Sequence, residues 1–200
     1  MTAMNHSWPR VLLGVALLAF IVGGPVAYSR YRQANYRNFR VVEEGKLYRS
    51  GQLSLSGLKR TIEEYNIKTV ISLRYADKEG EKPPDWQEEE YCLSRGIKYV
   101  RIRPREWKDL GQGFIPADQP VGDFLKLMDQ KGTYPALIHC FAGMHRTGAF
   151  CTIYRMEYQG WSNADAMTEL KALGYKNLDK EEDVQGYMEG YVPRSKRTAP

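Results

Sequence analysis

Two hundred residues, 42% hydrophobic and 26% charged, suffice for one domain with its own core and fall short of two. The formal charge of +5 gathers in two short stretches, Arg30, Arg32, Arg37 and Arg40, then Arg194, Lys196 and Arg197. Neither carries a base-reading motif, which argues against a nucleic-acid partner, and three irregularly spaced cysteines exclude a disulfide framework and suit a reducing compartment.

After a short tail (1–10), residues 11–28 read VLLGVALLAFIVGGPVAY, an uncharged run that as a helix would extend roughly 27 Å, close to the hydrocarbon thickness of a bilayer. The run is expected to be a transmembrane anchor in contact with lipid. A cleaved secretory signal competes, because Gly23, Gly24, Pro25 and Ala27 could form a cleavage region. Against it, only Arg10 and the terminal amine are positive before the run, and Pro25 fits a cleavage signature poorly. The four arginines that follow place the rest of the chain in the cytoplasm by the positive-inside rule, so a single-pass membrane protein is expected. Residues 29–40 read as a basic juxtamembrane linker, 41–192 as the globular domain and 193–200 as a basic tail.

Within the domain, Val41–Val42 and Leu47–Tyr48 look like short strands, and Leu55, Leu58, Ile62 and Tyr65 share one face of a helix. The β-branched run 69–73 (TVISL) reads as a buried strand. Pro83-Pro84 opens a second helix through about Arg95, and 97–102 (IKYVRI) is the next strand. Residues 103–116 (RPREWKDLGQGFIP) show no period and form a long loop of the functional kind. A helix over 117–130 turns Phe124, Leu125 and Met128 inward, and 135–139 (PALIH) is the central strand. The chain then turns through CFAGMHR into a helix bearing Phe150, Ile153 and Tyr154. Ser162 and Asp165 form a capping box for a helix ending at Gly174, and a last helix covers 181–191. Strands alternating with helices predict an α/β fold, a central and mainly parallel sheet flanked by helices and preceded by the apolar helix. In such sheets ligands gather at the carboxyl ends of strands, where HCFAGMHRTG falls.

Cys140 and Arg146 bracket five residues between an apolar strand and a helix. A loop of that length can wrap a tetrahedral oxyanion with successive N–H groups pointing inward, the helix dipole adding positive potential at its mouth. The same field favours the thiolate of Cys140, the form that attacks phosphorus. The planar fork of Arg146 can bind two phosphoryl oxygens as a lysine could not. Gly143 allows a close backbone approach. Cys92 and Cys151 lie on predicted helices and are expected to be packing residues, His139 to orient the loop, and Arg49 and Gln52 of YRSGQ to support it.

These residues resemble the protein-tyrosine phosphatase superfamily, whose signature is His-Cys, five residues, Arg, then Ser or Thr. HCFAGMHRT fits every fixed position, and YRSGQLS, YPALIHC and HRTG are most similar to the atypical dual-specificity phosphatases of bacteria, fungi and plants. The resemblance covers about 40–175. It implies a protein-tyrosine-phosphatase-like fold, a phosphocysteine on Cys140, phosphate held by Phe141, Ala142, Gly143, Met144, His145 and Arg146, help to the leaving thiolate from Thr147, and no cofactor or metal. It further implies a general acid on a mobile loop upstream of the cysteine. Asp109, 31 positions before Cys140 and flanked by Trp107, Gly111 and Gly113, is preferred. Asp118 is its rival but falls in a first helical turn, where an Asp is most simply a cap, and Glu106 is a third candidate. The expected substrate is a phosphorylated protein, phosphotyrosine by default, or another phosphomonoester. An inositol-phosphate or phosphoinositide phosphatase is the alternative, disfavoured because Met144 stands where such enzymes often carry lysine. From a different class, a non-catalytic membrane-tethered phosphate reader would keep the loop and lack the acid.

Overall fold

In a computed structural model, which describes residues 8–197, strands and helices alternate as expected. After helix α1 (Trp8–Tyr36), β1 (Arg40–Glu43) and β2 (Leu47–Gly51) form an antiparallel hairpin turning at Gly45, whose φ is +70°. The chain then crosses through α2 (Leu55–Tyr65) to β3 (Thr69–Ser72) and through α3 (Trp86–Ser94) to β4 (Lys98–Arg101). A long loop and α4 (Asp118–Met128) lead to β5 (Ala136–Cys140). The sheet order is β1-β2-β5-β3-β4, and every pair but the hairpin is parallel. The last strand therefore enters the middle of the sheet, with Cys140 at its carboxyl end opposite Gly51 of β2.

Side chains alternate across a strand, and here both faces are covered. Leu47, Ile71, Ala136, Ile138 and Cys140 face α4, α5 (His145–Tyr158), α6 (Asn163–Ala172) and α7 (Glu182–Gly190) in one core. Their neighbours Tyr48, Val70 and Leu137 face α2 and α3 in a second, smaller core with Leu58, Ile62 and Cys92. Continuously apolar strands such as ALIHC follow from this double coverage. Ser54 caps α2 by accepting the Gly57 N–H at 3.1 Å, and Ser162 caps α6 by accepting that of Asp165 at 3.1 Å.

The end of α1 and the start of the basic tail are both tied to the domain. Helix α1 runs unbroken past Arg30 and Arg32 to Tyr36, and Asn35 near its end is buried. The Ser54 N–H donates to the Ala34 carbonyl at 2.7 Å, and a Cβ on Gly57 would lie 2.8 Å from Asn35 Cα. β1 starts at Arg40, so the domain's contacts begin before Val41. At the other end Arg194 pairs with Asp129 at 2.7 Å and with Glu157, fastening the start of the basic tail to α4 and α5. Towards its amino end α1 is uncovered by the described residues: Leu12, Leu13, Leu17, Leu18, Phe20 and Ile21 are all more than half exposed. By length and composition it is able to cross a membrane.

Candidate active site

Cys140 is the last residue of β5, only 4% exposed, and residues 141–144 curl from it into the first turn of α5 at His145. The loop can turn so sharply because Gly143 has φ +74° and lies against the end of β2, where a Cβ would stand 2.3 Å from Gly51 N. The Gly143 N–H donates to the Cys140 sulfur at 3.2 Å. A trans peptide points its N–H and C=O in opposite directions, so amides face inward only while carbonyls are held outward. Two of those holds come from the YRSGQ segment. The Gln52 N–H donates to the Phe141 carbonyl at 3.0 Å, and the buried Arg49 guanidinium donates to the Gly143 carbonyl at 2.7 Å. Arg49 also fixes a positive charge beneath the loop.

Arg146 stands in the first turn of α5, exposed, with its guanidinium 5.5 Å from the ring centre of Tyr75, which also faces Arg103 at 4.6 Å. Thr147 is fully buried, and its hydroxyl has no hydrogen-bond partner among the described residues. His145 stacks on Tyr175 with ring centres 4.3 Å apart. Arg146 and His145 open onto a cavity of about 370 Å³ lined also by Tyr75, Arg105, Glu106, Trp107, Glu181 and Asp183.

The candidate acids separate clearly. The Asp109 carboxylate accepts the N–H groups of Gly111, Gln112 and Gly113 at 2.9, 2.7 and 3.0 Å, curled into its own loop and outside the cavity lining. Asp118 opens α4 without capping it, since no side chain caps this helix; instead its carboxylate accepts the Tyr187 hydroxyl at 2.8 Å. Glu106 alone of the three lines the cavity. Trp107 packs edge-on to Phe150 and Tyr187, and the Ala117 N–H donates to the Glu106 carbonyl at 2.9 Å, closing the neck of the loop whose tip carries Asp109.

Behind the cysteine, His139 Nε2 approaches Glu88 Oε2 to 3.2 Å without hydrogen-bond alignment, and its Nδ1 is unpartnered among the described residues. Donor atoms of Asp85, Glu88 and His139 lie within 4.8 Å of one another. Asp85 is already engaged by Ser72, Tyr99 and Arg101, the last at 2.6 Å, so a guanidinium supplies the positive charge there. Burial would raise the Asp85 carboxyl, but those hydrogen bonds outweigh it and hold the group below its ordinary range. Cys92 and Cys151 are buried packing residues whose thiols burial pushes up to about 12 and about 11.

A family model described as "Tyrosine phosphatase family" matches residues 35–198. The chain belongs to the tyrosine phosphatase family. Among curated members it is 25% identical over 195 residues to the dual specificity protein phosphatase TpbA of Pseudomonas aeruginosa, covering 92% of this chain and 81% of TpbA. It is 31% identical over 126 residues to the tyrosine-protein phosphatase-like protein OCA2 of Saccharomyces cerevisiae, covering 62% of this chain and 57% of OCA2. Two solved structures share the fold. The catalytic domain of the PP-IP phosphatase SIW14 from S. cerevisiae, in complex with citrate, superposes with a TM-score of 0.61 at 23% identity over 79% of this chain and 87% of its own. P. aeruginosa TpbA superposes at 0.58 and 22% identity over 78% and 85%. This is the cysteine-dependent class of phosphatase, and the sequence-based recognition of HCFAGMHRT stands.

Of the residues expected at the site, the fold brings Cys140, residues 141–146 and Thr147 together and leaves Asp109 apart. Tyr75, Glu181 and Asp183 carry no local mark in the sequence, since only the long-range packing of α7 and the loop after β3 brings them to the cavity; Arg105 comes with the long loop after β4.

Proposed function

We propose that the chain hydrolyses singly phosphorylated protein side chains, phosphotyrosine foremost, through a phosphocysteine on Cys140. The observation that carries this reading is the phosphate-sized loop with its Gly143 N–H on the Cys140 sulfur and its carbonyls held outward. In the first step the Cys140 thiolate attacks phosphorus, the P–O ester bond breaks, and an acid protonates the leaving oxygen while Arg146 binds two equatorial oxygens. In the second, water attacks phosphorus, the same carboxylate takes its proton, and the S–P bond breaks with the Thr147 hydroxyl donating to the departing thiolate. Asp109 supplies the proton once its loop releases the carboxylate from the three amides. The cavity favours phosphotyrosine over inositol phosphates: Tyr75, Trp107 and Tyr175 line it with aromatic surface, and Glu106, Glu181 and Asp183 would repel further phosphates. Helix α1 serves as a single-pass anchor with the domain cytoplasmic, supported by its uncovered apolar side chains and by the arginines that follow them.

The test is metal-free turnover of an alkyl phosphate, whose leaving group needs the acid, by wild type, Cys140→Ser, Asp109→Asn and Glu106→Gln. Cys140→Ser should be inactive, and Asp109→Asn should lose roughly 10²-fold or more in kcat, with Glu106→Gln near wild type. A large loss in Glu106→Gln alone transfers the acid role to the residue already lining the cavity. No turnover of any phosphomonoester by folded wild type would leave a phosphate reader. Phosphotyrosyl peptides should outrun inositol polyphosphates, and the reverse order would establish the inositol alternative.

A further inference from the structure

The peptide plane between Ala142 and Gly143 matters most to the nucleophile, because its N–H is the one that donates to Cys140 sulfur at 3.2 Å. That amide can face the sulfur only while the Ala142 carbonyl faces away. Neighbouring carbonyls at 141 and 143 are held by Gln52 and Arg49 of β2 and the residue after it. The carbonyl of Ala142 is held by something else: it accepts from Asn38 Nδ2 at 2.8 Å, across 104 positions of sequence.

Asn38 belongs to the three residues joining α1 to β1; its side chain is exposed, and the backbone on either side of it is held. Its φ is +48°, a left-handed conformation that Asn tolerates better than most side chains. On one side of it the Arg37 carbonyl accepts the Gly51 N–H at 2.7 Å; on the other the Phe39 N–H donates to the Tyr36 carbonyl at 3.1 Å. The Arg37 guanidinium lies 4.1 Å from the ring centre of Phe141, the first residue of the loop. One turn back, Asn35 is buried against α2. The end of α1 thus grips both the strand and the loop that surround the cysteine.

We propose that Asn38 is a positioning residue of the phosphate loop, and that through it the end of the apolar helix is part of the catalytic apparatus. The proposal rests on Cys140 as the nucleophile. Displacing α1 from the sheet would release the Ala142 carbonyl and let that plane turn, placing an oxygen where a phosphoryl oxygen must sit. Anion binding and kcat would then fall together.

The test uses the full chain in detergent micelles, with orthovanadate as the anion probe and an aryl phosphate for kcat and KM. Asn38→Gly keeps the left-handed backbone and removes the donor, while Asn38→Asp tolerates the backbone but sets a carboxylate against the carbonyl. We expect vanadate inhibition to weaken and kcat to drop about 3- to 10-fold in Asn38→Gly, the value of one hydrogen bond, and further in Asn38→Asp, with the Asn38→Gly melting temperature unchanged. A residue that only stabilises the fold would leave both readouts at wild type in Asn38→Gly. Wild-type vanadate inhibition in Asn38→Gly, or tighter inhibition in Asn38→Asp than in Asn38→Gly, would overturn the proposal. Asn38→Gly carries the test alone if Asn38→Asp melts early. Should wild type bind vanadate yet turn nothing over, the enzyme reading fails while direct vanadate binding still ranks the variants.

Discussion

Arg49 is 3% exposed, and its guanidinium donates to the Gly143 carbonyl at 2.7 Å with a longer contact to Met144 O at 3.4 Å. A planar fork suits two adjacent carbonyls, whereas a lysine offers a point charge on a flexible stem. Arg49→Lys should therefore keep the charge and lose the geometry. Given that hydrogen bonds to charged groups are worth about 1.5–3 kcal/mol, kcat/KM on an aryl phosphate should fall about 10- to 100-fold; steady-state kinetics near wild type would show that charge alone suffices. The three cysteines divide at this scale as well. Burial holds Cys92 and Cys151 as thiols at neutral pH, so neither competes with Cys140 as a nucleophile.

The loop from Cys140 to Arg146 depends on Gly143 as a piece of backbone. In Gly143→Ala the new Cβ would meet Gly51 N at 2.3 Å in a conformation of φ +74°. The loop cannot seat in that form, so phosphatase activity should be lost by more than about 10²-fold while the melting transition reflects only about 1–3 kcal/mol of backbone strain. Retained activity with a lowered melting point would mean that the loop adapts elsewhere. This element was legible in the sequence because its chemistry is contiguous: strand, cysteine, glycine, arginine and helix start follow one another within a dozen residues. The strands were legible for a related reason, double burial having left them apolar throughout. The loop over 103–116 was only half legible. Its length and glycines mark it, but the capture of Asp109 depends on Gly111 and Gly113 at φ +87° and +77°, which curl amides back onto the carboxylate. The basic stretch after the apolar run suggested a linker by its charge, yet Arg, Gln and Ala are good helix formers and α1 continues through its first part as far as Tyr36.

Across the molecule, the polar cluster behind the sheet ties β3, α3 and β4 together through Asp85 and Arg101. Because the folded Asp85 carboxyl lies below its unfolded value of about 3.9, its contribution is complete above that value and fades as pH falls through the folded one. Asp85→Asn should accordingly melt lower than wild type at neutral pH, by the equivalent of about 1–3 kcal/mol, with the gap closing as pH is taken well below 3.9, roughly the unfolded value. A gap that stays constant with pH would assign the loss to packing instead.

The unbroken course of α1 from Tyr28 to Tyr36 has a kinetic side. Eight residues of helix span about 12 Å, and the next residue touches the loop beside the cysteine. Seated in a bilayer, such an enzyme would have no slack: its mouth would sweep a thin layer parallel to the surface. Encounter would then be a search in two dimensions, and turnover would follow the number of phosphorylated partners per unit area of membrane and not their concentration in the surrounding volume.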